Sequence, residues 1–384
     1  MRGVRLLILS LFVVALLASG SLTLGQDGAG VIPEEARERG FFLLPEFHAY
    51  APEEVELMAA FLEVVQSEAV PTTTQLNRPI RIAFLFPSLE VSDAWARLNI
   101  TIRARLTEIG IPFEVTEFLI RSDEHDRQAT QIEQVLAGDY DYVVIGPSEY
   151  TAQKANLARL AQQVPTLVMN VVNPFVDTVG TDSAPLTHVG FDHSVGARLL
   201  CEWVIAETGG EGTFALLRYV PGLVDRQRSN NFRDCVEANS NMRMVAEYEA
   251  NGDRERAFTG ANAILSTHPD ITMMHAGSTA VTLGAMAALM ERGVNDRVLL
   301  NGWGGGADEL AAIMAGNLDV TAFRVNDDWG VSVAEAIRYH VEGRVDEIPN
   351  VIAATMMIID YRMSEEEILS LTEYAFRYSG QLDR

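Results

Sequence analysis

The chain has 384 residues, with 53 acidic against 29 basic side chains and a formal charge of −24 at neutral pH. A surface this acidic argues against nucleic acid and anionic membranes as partners. The length exceeds what one core organises and suits two domains.

Residues 1–25 read as a secretory signal. Arg2 and Arg5 precede the apolar block 6–18, and small residues follow up to Gly25, so cleavage is expected before Gln26. The block is short for a membrane span, and no other stretch approaches about 18 uninterrupted apolar residues. No cysteine stands at the cleavage site to take a lipid anchor. The mature chain is therefore expected to be soluble and periplasmic, with a charge of −26 once the two arginines are removed (−24 − 2).

Residues 26–78 form an N-terminal extension, irregular except for a helix over 52–67. That helix carries Val55, Met58, Ala59, Leu62 and Val65 on one side. From residue 80 the pattern changes to strand–helix alternation. Strands are expected over 80–86, 113–120, 142–145 and 166–172, with helices over 92–109, up to 138, and over 152–164. Residues 174–186, rich in Pro, Asp, Thr and Ser, read as a crossing segment. The alternation then restarts, with strands over 188–191, 213–219, 242–248, 271–275, 298–300 and 320–323. Helices lie over 194–207, 226–238, 257–266, 279–292 and 307–314, and another follows Arg324.

Apolar strands joined by helices imply doubly wound parallel sheets. The expected fold is α/β: two Rossmann-like lobes joined by hinge crossings around a cleft. The first lobe is assigned 79–180 plus 305–345, the second 181–304 plus 346–384. Cys201 and Cys235 sit on apolar helical stripes; a disulfide and two separate buried thiols both remain open.

In open α/β sheets ligands bind at the carboxyl ends of the strands. Ser92, Asn170, Thr279, Trp303 and Arg324 all fall there or in the first turn of the next helix, and Arg228 joins them from the second lobe. Singly, each has an ordinary explanation: a helix cap, a turn residue, a surface charge. Together they converge on one cleft. An indole face beside a planar, five-donor cation suits a small ring bearing hydroxyls and some negative charge.

The run Gly302-Trp303-Gly304-Gly305-Gly306-Ala307 matches the G-x-G-x-x-A dinucleotide turn. The indole stands where a pyrophosphate needs bare backbone, and the run comes late in the strand order. The seven histidines are scattered, with no metal-binding helix pair, and no G-x-S-x-G is present. No metal, cofactor or catalysis is expected.

Four runs and the tail carry a resemblance: Glu90-Val91-Ser92-Asp93-Ala94-Trp95, Val189-Gly190-Phe191-Asp192-His193, the glycine run at 301–306, Arg324-Val325-Asn326-Asp327-Asp328, and Ala375-Phe376-Arg377-Tyr378-Ser379. From about residue 52 to 378 the chain resembles the LuxP-type autoinducer-2 receptors, in the ribose-binding class of type I periplasmic binding proteins. The resemblance implies an anionic furanosyl borate diester held between Arg228 and Arg324. It implies hydrogen bonds from Ser92, Asn170 and Thr279, and apolar walls from Trp95 and Trp303. Three positions depart from the pattern. Glu90 replaces a Gln, Ala280 replaces an Asp that related sugar binders use to grip hydroxyls, and Gly146 replaces a Thr. The expected partner is a membrane sensor histidine kinase. The alternatives are delivery of sugar to an ABC permease and, more distantly, a nucleotide-dependent oxidoreductase.

Overall fold

The computed structural model describes residues 30–87, 92–121 and 123–380. The signal segment and Glu90 therefore lie outside the described residues. The strands are β1 (Ile80–Pro87), β2 (Phe113–Ile120), β3 (Tyr142–Ile145), β4 (Thr166–Met169), β5 (Thr187–Gly190), β6 (Thr213–Arg218), β7 (Arg243–Glu249), β8 (Met273–Ala276), β9 (Leu299–Gly304), β10 (Val320–Arg324), β11 (Val351–Ala353) and β12 (Met356–Asp360). They form two six-stranded sheets, ordered β2-β1-β3-β4-β5-β11 and β7-β6-β8-β9-β10-β12. The permutation is the same in both. All pairs are parallel except β10 with β12.

The central parallel strands β1 and β3 are buried, largely apolar runs because helices cover both faces. Ile82, Ala83, Phe84 and Leu85 of β1 have no exposed surface. Onto that sheet the helix Asp93–Ile109 packs Trp95, Leu98, Ile102 and Leu106. It stops at Gly110, whose φ of 80° is the left-handed C-cap that favours glycine.

Strand positions follow the sequence reading; sheet membership does not. The expected second lobe began at residue 181, yet β5 pairs with β4 in the first sheet. The expected first lobe included 305–345, yet β10 pairs with β9 in the second sheet. Only the helix Asn326–Val341 returns to the first lobe, where Trp329, Val331 and Val333 join its core. A strand buried on both faces fits either sheet equally well, so hydrophobicity alone does not sort them. The chain crosses between lobes after β5, after β10, and between β11 and β12. Residues 174–186 do not cross. Phe175 stacks on Tyr150 at 4.2 Å within the first lobe, and the Leu186 N–H donates to Thr166.

The extension is more ordered than expected, with helices Glu34–Arg39, Leu44–Tyr50 and Glu53–Val65. The last buries Phe61 and Val65, while Val55, assigned to the apolar side, is 42% exposed. Its Glu54 carboxylate turns inward and accepts from the Asn350 N–H at 2.8 Å. β11, β12 and the helix Glu365–Ala375 had no counterpart in the sequence reading. Cys201 and Cys235 form a disulfide between the helices His193–Thr208 and Asn231–Asn239.

Candidate functional site

The carboxyl ends of the two sheets meet, and seven of the eight proposed residues line one cavity: Ser92, Trp95, Asn170, Arg228, Thr279, Trp303 and Arg324. The eighth, Glu90, proposed to meet the ligand beside Ser92, lies outside the described residues. Its volume is about 50 Å³. By that measure a single water needs about 10–15 Å³, so the space holds roughly four. That is the bulk of a small ring and far short of a dinucleotide.

Of the first lobe's cavity residues, all but Glu149 are neutral. Ser92 is the N-cap expected of it, accepting from the Ala94 N–H at 3.2 Å, and it still faces the cavity. Trp95 packs on Phe86 and Trp329, with ring centroids at 5.5 and 4.9 Å. Gly146, the departure from the receptor pattern, makes room for it: a Cβ there would stand 2.4 Å from the indole. Asn170 follows β4 with φ at 70°.

The second lobe supplies both cations. Arg228 comes from a π-helical turn, Arg226–Asn230, a register change often found at functional sites. Thr279 opens the helix after β8 and donates to the Trp303 carbonyl at 3.0 Å. Arg324 ends β10. Each arginine is only 5% exposed. The Arg228 guanidinium lies 5.0 Å from the Trp303 ring and donates to the Gly277 carbonyl at 2.9 Å. Arg324 lies over Phe191 at 5.4 Å. Neither has an ion-pair partner among the described residues, and Nε of each lacks a hydrogen-bond acceptor. Burial, then the charge of Arg324, lowers Arg228 to about 9; burial lowers Arg324 as well. At about 9, Arg228 remains a cation at neutral pH.

The glycine run is explained by close packing. A Cβ on Gly304, whose φ is 120°, would stand 2.4 Å from the Arg324 guanidinium, and one on Gly305 would strike Phe323. The backbone donors that a pyrophosphate would need are already used. The buried Glu309 carboxylate accepts from the Trp303 N–H at 3.2 Å, the Gly305 N–H at 2.8 Å and the Thr321 hydroxyl at 2.6 Å. An internal anion fills the turn, so the dinucleotide reading fails.

The lobes are closed on each other. Glu149 accepts from the Leu223 N–H across the cleft at 3.0 Å, and Gln227 donates to Asn173 at 3.1 Å. Gly222 has φ at 155°, and a Cβ on it would stand 2.6 Å from Cγ of Glu149. Glu149 and Tyr219 both line the cavity, and the sequence reading missed them. They lie just past β3 and β6, so the rule that found the others would have reached them. One hydroxyl–imidazole contact also escaped it: Ser148 Oγ lies 2.9 Å from His125 Nδ1. No carboxylate bonds that imidazole among the described residues, so the contact lacks the orienting group of a hydrolytic triad.

Residues 82–344 match the periplasmic binding protein domain. The chain is similar to the D-ribose/D-allose-binding protein of Pseudomonas aeruginosa, 27% identical over 237 residues, which is 61% of this chain and 72% of that protein. It is also similar to the ribose import binding protein RbsB of Escherichia coli, 24% identical over 54% of this chain and 68% of that one. Among solved structures, a periplasmic solute-binding protein of an Actinobacillus succinogenes ABC transporter, with bound D-allose, superposes with a TM-score of 0.65. The match is 18% identical and covers 76% of this chain and 99% of the other. The fructose-binding periplasmic domain of a hybrid two-component system gives a TM-score of 0.67 at 17% identity, covering 77% of this chain and 95% of that one. At such identities these structures show the shared fold alone.

Proposed function

Because the chain belongs to the periplasmic binding protein domain family, we propose that it is a sugar receptor whose cleft closes on one small polyhydroxylated ring and presents it to an ABC permease. The observation that carries this is the composition of the cavity. Seven residues at the strand ends of two hinged lobes supply hydrogen-bond groups, two indole faces and two guanidiniums, in a space of ring size. The ribose import binding protein among the relatives supports uptake over signalling, which reverses the order expected from the sequence. The apolar leader at 1–25 supports export to the periplasm.

A second reading keeps the borate diester of autoinducer-2 as ligand and a sensor kinase as partner. The two buried arginines favour it, since neither has an ion-pair partner among the described residues and Nε of each has no acceptor. Calorimetric titration separates the two, using D-ribose, D-allose, D-apiose, and the autoinducer-2 precursor with and without borate. The uptake reading expects a sugar to bind, with the dissociation constant unmoved by borate. Binding of the borated precursor alone would reverse that choice. No binding by any of them would overturn the site.

A further inference from the structure

His193 opens the helix His193–Thr208 and is fully buried behind the cavity wall. Its Nε2 lies 3.0 Å from the Asn170 carbonyl oxygen and 3.5 Å from Nη2 of Arg228. A carbonyl only accepts and a guanidinium only donates, so the two contacts demand opposite tautomers. The shorter one decides. Nε2 carries the proton and donates to Asn170, and the guanidinium nitrogen at 3.5 Å is a neighbour beyond good bonding distance. Nδ1 is then a lone pair with no partner among the described residues.

Asn170 has use for that bond. Its φ of 70° lies in the left-handed region, which non-glycine residues occupy only when something holds them there. Two further features act with the imidazole. The Asn170 N–H donates to Val189 at 2.9 Å, and Gly190 clears the way: a Cβ there would stand 2.7 Å from the Val171 nitrogen. The left-handed turn is what ends β4 and brings Asn170 to the cavity. The ring also packs on Trp303 at 6.0 Å, so one imidazole touches a backbone from the first lobe and an aromatic wall from the second.

We infer that His193 is a positioning residue of the site: as a neutral Nε2–H imidazole it ties Asn170 into its left-handed conformation and so sets where that side chain meets the ligand. The affinity consequence rests on the sugar-binding reading; the tie itself is a property of the free protein.

The test therefore has a ligand-free arm. Long-range ¹⁵N–¹H correlation at pH 7.5 should show His193 protonated on Nε2 alone. An Nδ1–H tautomer or an imidazolium would overturn the inference. His193→Gln places an amide donor near the Nε2 position and should keep the Asn170 Cα and Cβ shifts of a left-handed residue. His193→Phe fills the space without a donor and should move those shifts towards extended values, with far-UV circular dichroism unchanged. With D-ribose as probe, the Phe variant should lose about tenfold in affinity and the Gln variant stay within about threefold. A Phe variant with wild-type Asn170 shifts refutes the tie, whatever its affinity. If D-ribose fails to bind the wild type while the shifts behave as stated, the ligand is wrong and the tie stands.

Discussion

Arg105 and Arg338 are as buried as Arg228 and Arg324, and their surroundings could hardly differ more. The first two flank one carboxylate. Arg105 donates to Oε1 of Glu335 at 2.7 Å and Arg338 to Oε2 at 2.6 Å, and Glu335 itself has no exposed surface. Burial works against the charge of Arg105, yet Glu335 and the Tyr378 hydroxyl more than offset it and its pKa is raised. The cleft pair has no carboxylate partner among the described residues, and its pKa values are lowered. Burying a charge is costly wherever it happens. Where the fold compensates the charge from within, the arginine is scaffold. Where no carboxylate bonds the guanidinium, its donors are left free for the oxygens of a ligand.

The comparison breaks most visibly if Glu335 is removed. Glu335→Ala strips both guanidiniums of their shared buried carboxylate, leaving Arg105 only Glu108 at 3.8 Å and Arg338 only Glu342 at 3.6 Å. It should cost about 3–5 kcal/mol of unfolding free energy in urea titrations, with ligand affinity unchanged in the fraction that folds. Arg228→Ala and Arg324→Ala should do the reverse. Stability of the unliganded protein should stay level or rise, while affinity for a charged ligand falls by about 2–5 kcal/mol in calorimetry. A loss below tenfold for both would mean a neutral ligand. A drop in stability matching that of Glu335→Ala would erase the distinction between the two sets.

The buried imidazoles sharpen the comparison, because they meet burial by giving up charge. Burial pushes His188 down to about 4 and His275 to about 3. A histidine whose folded pKa lies below its unfolded value of about 6.5 contributes stability above that pH and loses it as the pH falls towards the folded pKa. Burial pushes Asp319 up to about 6, which acts in the opposite sense below pH 6 and offsets one of the two. From these three groups, unfolding free energy should therefore fall by about 1.4 kcal/mol per pH unit between about 6 and 5. His275 stacks on Phe232 at 4.3 Å, so His275→Phe fits the site and should remove about 2 kcal/mol of the difference between pH 7 and pH 5. An unchanged pH profile would show that His275 is not the group responsible.

The smallest effect belongs to the contact that joins the walls. Glu149→Gln weakens the acceptor that meets the Leu223 N–H and should cost about 0.5–1.5 kcal/mol in affinity. The change should appear in the dissociation rate under stopped flow, with association unaltered.

Residue position was legible in the sequence and partnership was not. The strands stood out because a parallel strand covered on both faces is an unbroken apolar run, and seven cavity residues followed from where such strands end. The same double burial hid which sheet β5 and β10 join. Phe61 was missed as the anchor of its helix because Val55 and Met58 formed a plausible stripe of their own. Most of all, Arg228 and Arg105 look alike in a chain of letters. That one lacks a carboxylate while the other has Glu335, 230 positions away, is a fact of three dimensions alone.

The most direct measurement is to denature the protein as purified and identify by mass spectrometry what it releases, with Arg228→Ala as the control. The expected result is one small polyhydroxylated ring from the wild type and little or none from the variant. Release of a nucleotide, or of the same compound in equal amount from both proteins, would contradict a sugar site gripped by the unpaired arginines.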